Sequence, residues 1–326
     1  MKVGVAGYGR IARHYFEAAR ATQAFAIVAL FDIHEDAFKA VAPGLAAYTD
    51  FDRFLADPSV EAVIVATPTA THFDVASQAI GAGKPLLLEK PAALSRSDFD
   101  ALRQSAADRH VPVVCLFHYA CASEVTAAAS ILRGANRHVA WHSTFYDPYN
   151  TSLDGEAFSL VDSWVDSGIN QLSVFFSVWP DAKLALNHAA LTPPAPPRAG
   201  TVAASAEFSF VAGDTRGMAV FETNWSAGMS RKSTRVHLSN PSMAVEMDHS
   251  AEAVAVSKDG FVEKTSHATG RSHLTNHYAQ LLPQAIGLIR QGTSNWELAE
   301  RIHGPLFEVR EAAGLRSEEQ LKGGQV

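Results

Sequence analysis

The chain reads as an α/β protein, a doubly wound parallel sheet followed by an α+β domain with an open, mainly antiparallel sheet. Three observations predict this. In the first third, uninterrupted apolar runs alternate with stretches of helical period. Past about residue 120, strands with alternating polarity follow one another at hairpin spacing. A glycine turn, Gly7-x-Gly9-x-x-Ala12, joins the first apolar run to the first helical stretch.

The strands of the first sheet are "VGVA" (3–6), "AIVALF" (26–31), "AVIVAT" (62–67), "PLLLE" (85–89) and "PVVCLF" (112–117). Apolar side chains at successive positions belong to strands covered on both faces. Helical periodicity fills 10–20, 71–82 and 95–108 between them. A helix near 122–133 leads to the alternating strand "HVAWHSTFY" (138–146), and a long segment from 155 to 179 contains the buried helical stretch "SWVDSGINQL". The run "TPPAPPRAG" (192–200) is expected to be an extended loop, since proline continues neither a helix nor a central strand. The strands "VAASAEFSFV", "RGMAVFETNW", "STRVHLS" and "MAVEM" come next, and helices at roughly 274–291 and 297–314 close the chain. The change of pattern divides it into domains 1–119 and 120–326.

A length of 326 residues suffices for two cores. With 47% hydrophobic and 19% charged residues and a net charge of −7, no basic face is implied, so neither a nucleic acid nor an anionic membrane is an expected partner. No apolar run approaches bilayer-spanning length. Cys115 and Cys121, the only cysteines, read as reduced thiols. No signal-like segment precedes the first strand, and the expectation is a cytoplasmic protein. The histidines fall in no ligand pattern, so no metal is expected.

Three stretches carry chemistry. In the first turn, Gly7 allows a tight bend and Gly9 lets backbone approach a pyrophosphate at the helix N-terminus, with Arg10 and Ile11 completing the loop. Asp32 ends the second strand, where a carboxylate accepts hydrogen bonds from an adenosine ribose and repels a 2′-phosphate. NAD is therefore the expected cofactor of this Rossmann domain, with NADP the alternative because His34 follows closely; the plainer reading makes Asp32 a helix cap. Thr67 and Pro68 end the third strand at the carboxyl edge, where cofactors bind in such sheets, and His72 reads equally as a cofactor contact or as an ordinary early helical residue. Glu89 and Lys90 come where a buried strand reaches its carboxyl end and Pro91 stops it. An ammonium there can hydrogen-bond a substrate hydroxyl and stabilise the negative charge that develops on its oxygen.

"GYGRIA", "ATPTATH" and above all Glu89-Lys90-Pro91 resemble the glucose–fructose oxidoreductase/inositol 2-dehydrogenase (Gfo/Idh/MocA) family. The resemblance in layout covers nearly the whole chain. It implies that Lys90 lies between nicotinamide and sugar, and that Glu89 stands beside the cofactor. Many members carry D-x-G-x-H on a helix of the second domain. Here the frame is Asp166-Ser167-Gly168-Ile169-Asn170. Four-residue spacing puts both polar side chains on one helical face, and Gly168 leaves the turn bare for a ring to approach. Asparagine can orient a hydroxyl but cannot accept a proton, which leaves Asp166 as the candidate base, with Lys90 and Asn170 completing the catalytic set.

"DSGINQLSVF" is similar to the "DPGINALS" pattern of the L-arabinose and D-galactose 1-dehydrogenase branch. That likeness implies that His118 contacts the sugar and that Asp147, on the strand "WHSTFYDPY", supplies a carboxylate to it. Trp225 at a strand end suits stacking on a sugar face. The resulting expectation is oxidation of an aldose at C1 to its lactone. The alternatives are a sugar or cyclitol dehydrogenase acting at C2–C4, and a regulator that binds NAD and a sugar without turnover. A homodimer or homotetramer through the uncovered face of the second sheet is the family-like partner expectation.

Overall fold

The structure, a computed structural model, describes residues 1–40, 44–133, 138–149, 160–193, 201–239 and 242–314. The chain forms two compact units, Met1–His118 with Leu274–Ala299, and Tyr119–His273 with Glu300–Val326. The first break lies between His118 and Tyr119, and Leu274–Ala299 belongs to the first unit.

In the first unit the order is β1 (Lys2–Ala6), α1 (Ala12–Thr22), β2 (Ala26–Phe31), β3 (Ala46–Tyr48), α2 (Phe51–Ala56), β4 (Ala62–Val65), α3 (His72–Gly81), β5 (Leu86–Glu89), α4 (Arg96–Asp108) and β6 (Val113–Leu116). The six strands are parallel in the order β3-β2-β1-β4-β5-β6, the doubly wound arrangement with its switch point between β1 and β4. Ala62, Val63, Ile64 and Val65 on β4, like Leu86, Leu87 and Leu88 on β5, are completely buried, because helices cover both sheet faces. The sequence reading lacked β3 and α2. The short "AAY" gives no apolar run, whereas α2 has a recognisable start, the Asp50 side chain accepting from the Arg53 N–H at 3.1 Å.

The second unit contains α5 (Ser123–Leu132), β7 (His138–Tyr146), α6 (Ile169–Val178), β8 (Lys183–Thr192), β9 (Ala203–Ala212), β10 (Thr215–Asn224), β11 (Arg231–Ser239), β12 (Ser242–Asp248), β13 (Ala253–Lys258) and β14 (Phe261–Ser266). The strand order is β14-β13-β12-β11-β7-β10-β9-β8, with β7/β10 parallel and the other pairs antiparallel. Three strands here escaped the sequence reading, β8, β13 and β14. A register irregularity between Leu186 and His188 breaks the alternation of β8, and β14 is exposed at every position and has no buried face to mark it. Residues 194–200 of the expected proline loop, and 155–159 of the long segment before α6, lie outside the described residues.

The core of this unit is aromatic. Phe175 of α6 sits edge-on to Trp141 of β7 and Phe210 of β9, with ring centroids 5.3 and 5.1 Å apart. Burying each such ring contributes on the order of 1.5–3 kcal/mol. The chain ends in α7 (His273–Arg290) and α8 (Trp296–Ala312). Among the described residues no helix is long and apolar enough to cross a membrane, and no group of His, Cys, Asp and Glu is arranged to hold a metal ion.

Candidate active site

In the first unit the turn after β1 is built for close backbone approach. Gly7 has φ +93°, and a Cβ there would stand 2.5 Å from the Ala66 carbonyl oxygen. Its N–H donates to Phe31 O at 2.8 Å, tying the turn to the end of β2. An added Cβ at Gly9 would meet nothing within 4 Å. No side chain caps α1, and the turn's own carbonyls take two of its first N–H groups, Ala12 N–H donating to Gly9 O at 3.1 Å and His14 N–H to Ile11 O at 3.0 Å. Arg10 is exposed and Ile11 half-buried on this turn. The Asp32 carboxylate accepts the Tyr8 N–H at 2.9 Å on Oδ2 and the His34 N–H at 3.0 Å on Oδ1, and a carboxylate oxygen holding one bond keeps capacity for another. A bare glycine turn, an uncapped helix end and a carboxylate at the end of β2 fit a dinucleotide.

The edges of β4 and β5 are joined by His72. Its ring is buried, with Nδ1 2.7 Å from Pro91 O and Nε2 2.9 Å from Thr67 O. Both nitrogens are thus engaged by backbone carbonyls, and burial pushes the imidazole below its ordinary value. The position is that of a clamp between the Thr67-Pro68 loop and the Lys90-Pro91 turn. Thr71 donates within the same loop, to Pro68 O at 2.8 Å.

Glu89 is buried one residue before half-buried Lys90. Its Oε1 accepts the Tyr15 hydroxyl at 2.7 Å and the Tyr278 hydroxyl at 2.6 Å, and its Oε2 accepts the Lys90 N–H at 3.2 Å. Burial raises its carboxyl above the ordinary range, with the tyrosine bonds pulling the other way. Tyr278 stacks on His118, centroids 5.3 Å apart, and His118 Nδ1 lies 3.2 Å from His277 Nδ1. His118 is therefore held in a buried stack of the first unit. Sequence reasoning missed Tyr15, Tyr278 and His277, since α7 joins these strands only in three dimensions.

In the second unit a π-helical turn, Trp164–Gly168, precedes α6 and carries Asp166; such turns are frequent at functional sites. The backbone enters it through Val161, strained at φ +71°. Buried Asp162 accepts the Val165 N–H at 2.8 Å and pairs with Arg310 of α8 at 2.9 Å, fixing the turn from below. Asp166 is half-buried, and the Asn170 amide donates back to Asp166 O at 3.0 Å. Gly168 does not leave its turn bare. A Cβ there would stand 2.5 Å from the Trp164 indole, so the ring that needs this glycine is the protein's own.

Asp147, just past β7, pairs with Lys232 of β11 at 3.0 Å, the two side chains being 9% and 17% exposed. Tyr119 and Tyr149 both feel the charges of Asp147, Asp166 and Lys232; burial pushes the Tyr119 phenol up to about 12 and raises that of Tyr149 still further. Trp225 is 3% exposed and edge-on to Tyr149, and its indole N–H finds no acceptor among the described residues. Tyr119, Tyr149 and Lys232 were not singled out from sequence. The signal for Lys232 was there: Thr234, Val236 and Leu238 face inward, and a period of two extended backward brings Lys232 to the same face.

Strand order, glycine turn and terminal carboxylate define a dinucleotide-binding Rossmann domain, and its cofactor is NAD or NADP. Residues 1–117 match the family model Gfo/Idh/MocA, "Oxidoreductase family, NAD-binding Rossmann fold". Over 113 residues it is 37% identical to UDP-N-acetylglucosamine 3-dehydrogenase of Acidithiobacillus ferrooxidans, covering 34% of this chain and 35% of that protein. Over 105 residues it is 31% identical to myo-inositol 2-dehydrogenase of Thermotoga maritima, covering 31% of each. The chain thus matches about a third of the length of these curated relatives. The fold is shared along nearly the whole chain with D-galactose-1-dehydrogenase from Rhizobium etli, at TM-score 0.74, 22% identity and coverage of 97% and 95%.

Proposed function

We propose that this protein oxidises a ring hydroxyl of a sugar or cyclitol, at one of the positions C2–C4, with NAD or NADP. The observation that carries the reading is Lys90, set by buried Glu89 at the carboxyl end of β5 in a Rossmann domain of this family. In this reading the Lys90 ammonium hydrogen-bonds the reacting hydroxyl and stabilises negative charge on its oxygen, while Asp166 takes the proton. His118, Asp147, Asn170 and Trp225 hold the remaining hydroxyls. Gly7, Gly9, Arg10, Ile11, Asp32, Thr67 and Pro68 hold the dinucleotide, with His72 and Glu89 behind them. The dinucleotide supplies the hydride acceptor when bound. Asp32 favours a free ribose and hence NAD. The names of the relatives, a 3-dehydrogenase of a nucleotide sugar and an inositol 2-dehydrogenase, favour a ring carbon other than C1.

One observation supports a second reading, oxidation of an aldose at C1. Asn170 stands where many members have histidine, and its amide is turned onto Asp166 O. A carboxylate alone suits the more acidic anomeric hydroxyl better than an ordinary secondary alcohol. The test is NADH and NADPH formation with myo-inositol, D-glucose, D-galactose, L-arabinose and UDP-N-acetylglucosamine, followed by product analysis. A ketone supports oxidation at C2–C4, and a lactone that hydrolyses to an acid supports C1. No reduction with any of them, while NAD still binds, would overturn the sugar assignment.

A further inference from the structure

His72 opens α3, and its ring is almost wholly buried between the ends of β4 and β5. Nδ1 lies 2.7 Å from Pro91 O and Nε2 2.9 Å from Thr67 O. Both partners are carbonyl oxygens, which only accept, whereas a neutral imidazole carries a single N–H. Only the imidazolium, with a proton on each nitrogen, donates to both. In the neutral ring the bare nitrogen turns its lone pair on an oxygen at hydrogen-bond distance, and one buried carbonyl loses its donor. The contact therefore closes fully with one more proton than the neutral ring holds. Burial opposes that proton, and so does the positive charge of Lys90. Among the charged groups of the surrounding elements, Asp74 on α3, Glu89 and Lys90 at the end of β5, and Arg96 and Asp98 at the start of α4, Lys90 is the one that bears on the ring.

The two segments joined by this ring are those that face a dinucleotide. The first packs on the glycine turn, where a Cβ at Gly7 would stand 2.7 Å from the Thr67 nitrogen. Its other bonds stay local, the Thr71 N–H and hydroxyl both donating to Pro68 O at 2.8 Å. The second begins at Lys90, one residue before Pro91. We infer that His72 is a positioning residue worked by a proton: as the imidazolium it ties the Thr67-Pro68 loop to the Lys90-Pro91 turn, and as the neutral ring it holds one of them alone. The tied form fixes the spacing between the dinucleotide turn and Lys90, so NAD binds it more tightly, by about fivefold, the scale of one net hydrogen bond. This goes beyond the sugar assignment and does not depend on which hydroxyl is oxidised.

The test is nitrogen NMR of protein labelled in the histidine rings. The His72 signals are assigned through bonds from its backbone amide and checked by their loss in His72→Gln. Between about pH 4 and 8, both His72 nitrogens should carry protons at the acid end, and one should lose its proton as pH rises. Saturating NAD should move that midpoint up by about 0.7 pH unit, the logarithm of the fivefold ratio, because the coupling of two binding events is reciprocal. Titration calorimetry should show the other side of the coupling. NAD affinity should fall by about fivefold as pH rises through the midpoint, and stay flat in His72→Gln. A ring that keeps one protonation state across the range, or a midpoint that NAD leaves in place, would overturn the inference, and the wild-type spectra decide this even where His72→Gln does not fold. No step uses a sugar, so protein that titrates as expected yet reduces no NAD with the sugar panel would sink the proposed function alone.

Discussion

Glu89 receives three hydrogen bonds on one buried carboxylate, two of them from phenols on the same oxygen. Because burial raises its carboxyl above the ordinary value, the folded protein holds that proton more tightly than the unfolded chain does. The Glu89 contribution to stability is therefore full below the ordinary carboxylate value and is lost as pH rises through the raised one. Glu89→Gln should flatten this part of the profile, as read by urea denaturation across the acid range; parallel slopes in the two proteins would count against it. For the neighbouring Lys90, replacement by Met should lower kcat/KM by about 10²–10³, the scale of losing one preorganised donor, while NAD binding measured by fluorescence titration stays within a few-fold. An equal loss in NAD affinity would show that Lys90 serves the cofactor and not the hydroxyl.

Among the elements, the π-turn that carries Asp166 depends on α8. Arg310 reaches Asp162 at 2.9 Å with both side chains buried, and the Trp164 indole donates to Leu306 O at 3.2 Å. Removing one member of a buried pair leaves an uncompensated charge, so Arg310→Ala should cost about 3–5 kcal/mol in chemical denaturation. Asp162→Asn/Arg310→Met should recover most of this, because it removes both charges. A loss under about 1 kcal/mol for the single variant would mean that water reaches Asp162. The same logic applies within the sheet, where Glu124, His249, Thr234 and Ser143 form a buried polar line from α5 to β7.

For the molecule as a whole, the second sheet has one face on α5 and α6 and another that carries half-open positions. Met218 is 37% exposed on β10, beside exposed Ala140 and His142 on β7. We propose that copies of the chain associate through this face as a dimer or tetramer. Met218→Glu should then shift the mass measured by light scattering towards the monomer, with the circular dichroism unchanged. A wild type that is monomeric at micromolar concentration would remove the proposal.

The sequence by itself determined the parallel sheet, since strands buried on both faces must be apolar throughout, and it determined the dinucleotide turn, since only glycine accepts φ +93° against the Ala66 carbonyl. It also placed Lys90 at a strand end and Asp166 beside Asn170, because those are matters of local spacing. The open face at Gly168 was misread, for the bulk of Trp164 fills it, and no local pattern says which ring a glycine makes room for. Only the tertiary structure decided that His72 clamps two loops, that Tyr15 and Tyr278 meet on Glu89, and that Lys232 pairs with Asp147. Hydrogen bonds and ion pairs between residues remote in sequence depend on where the packed backbone brings them, and periodicity carries no record of that.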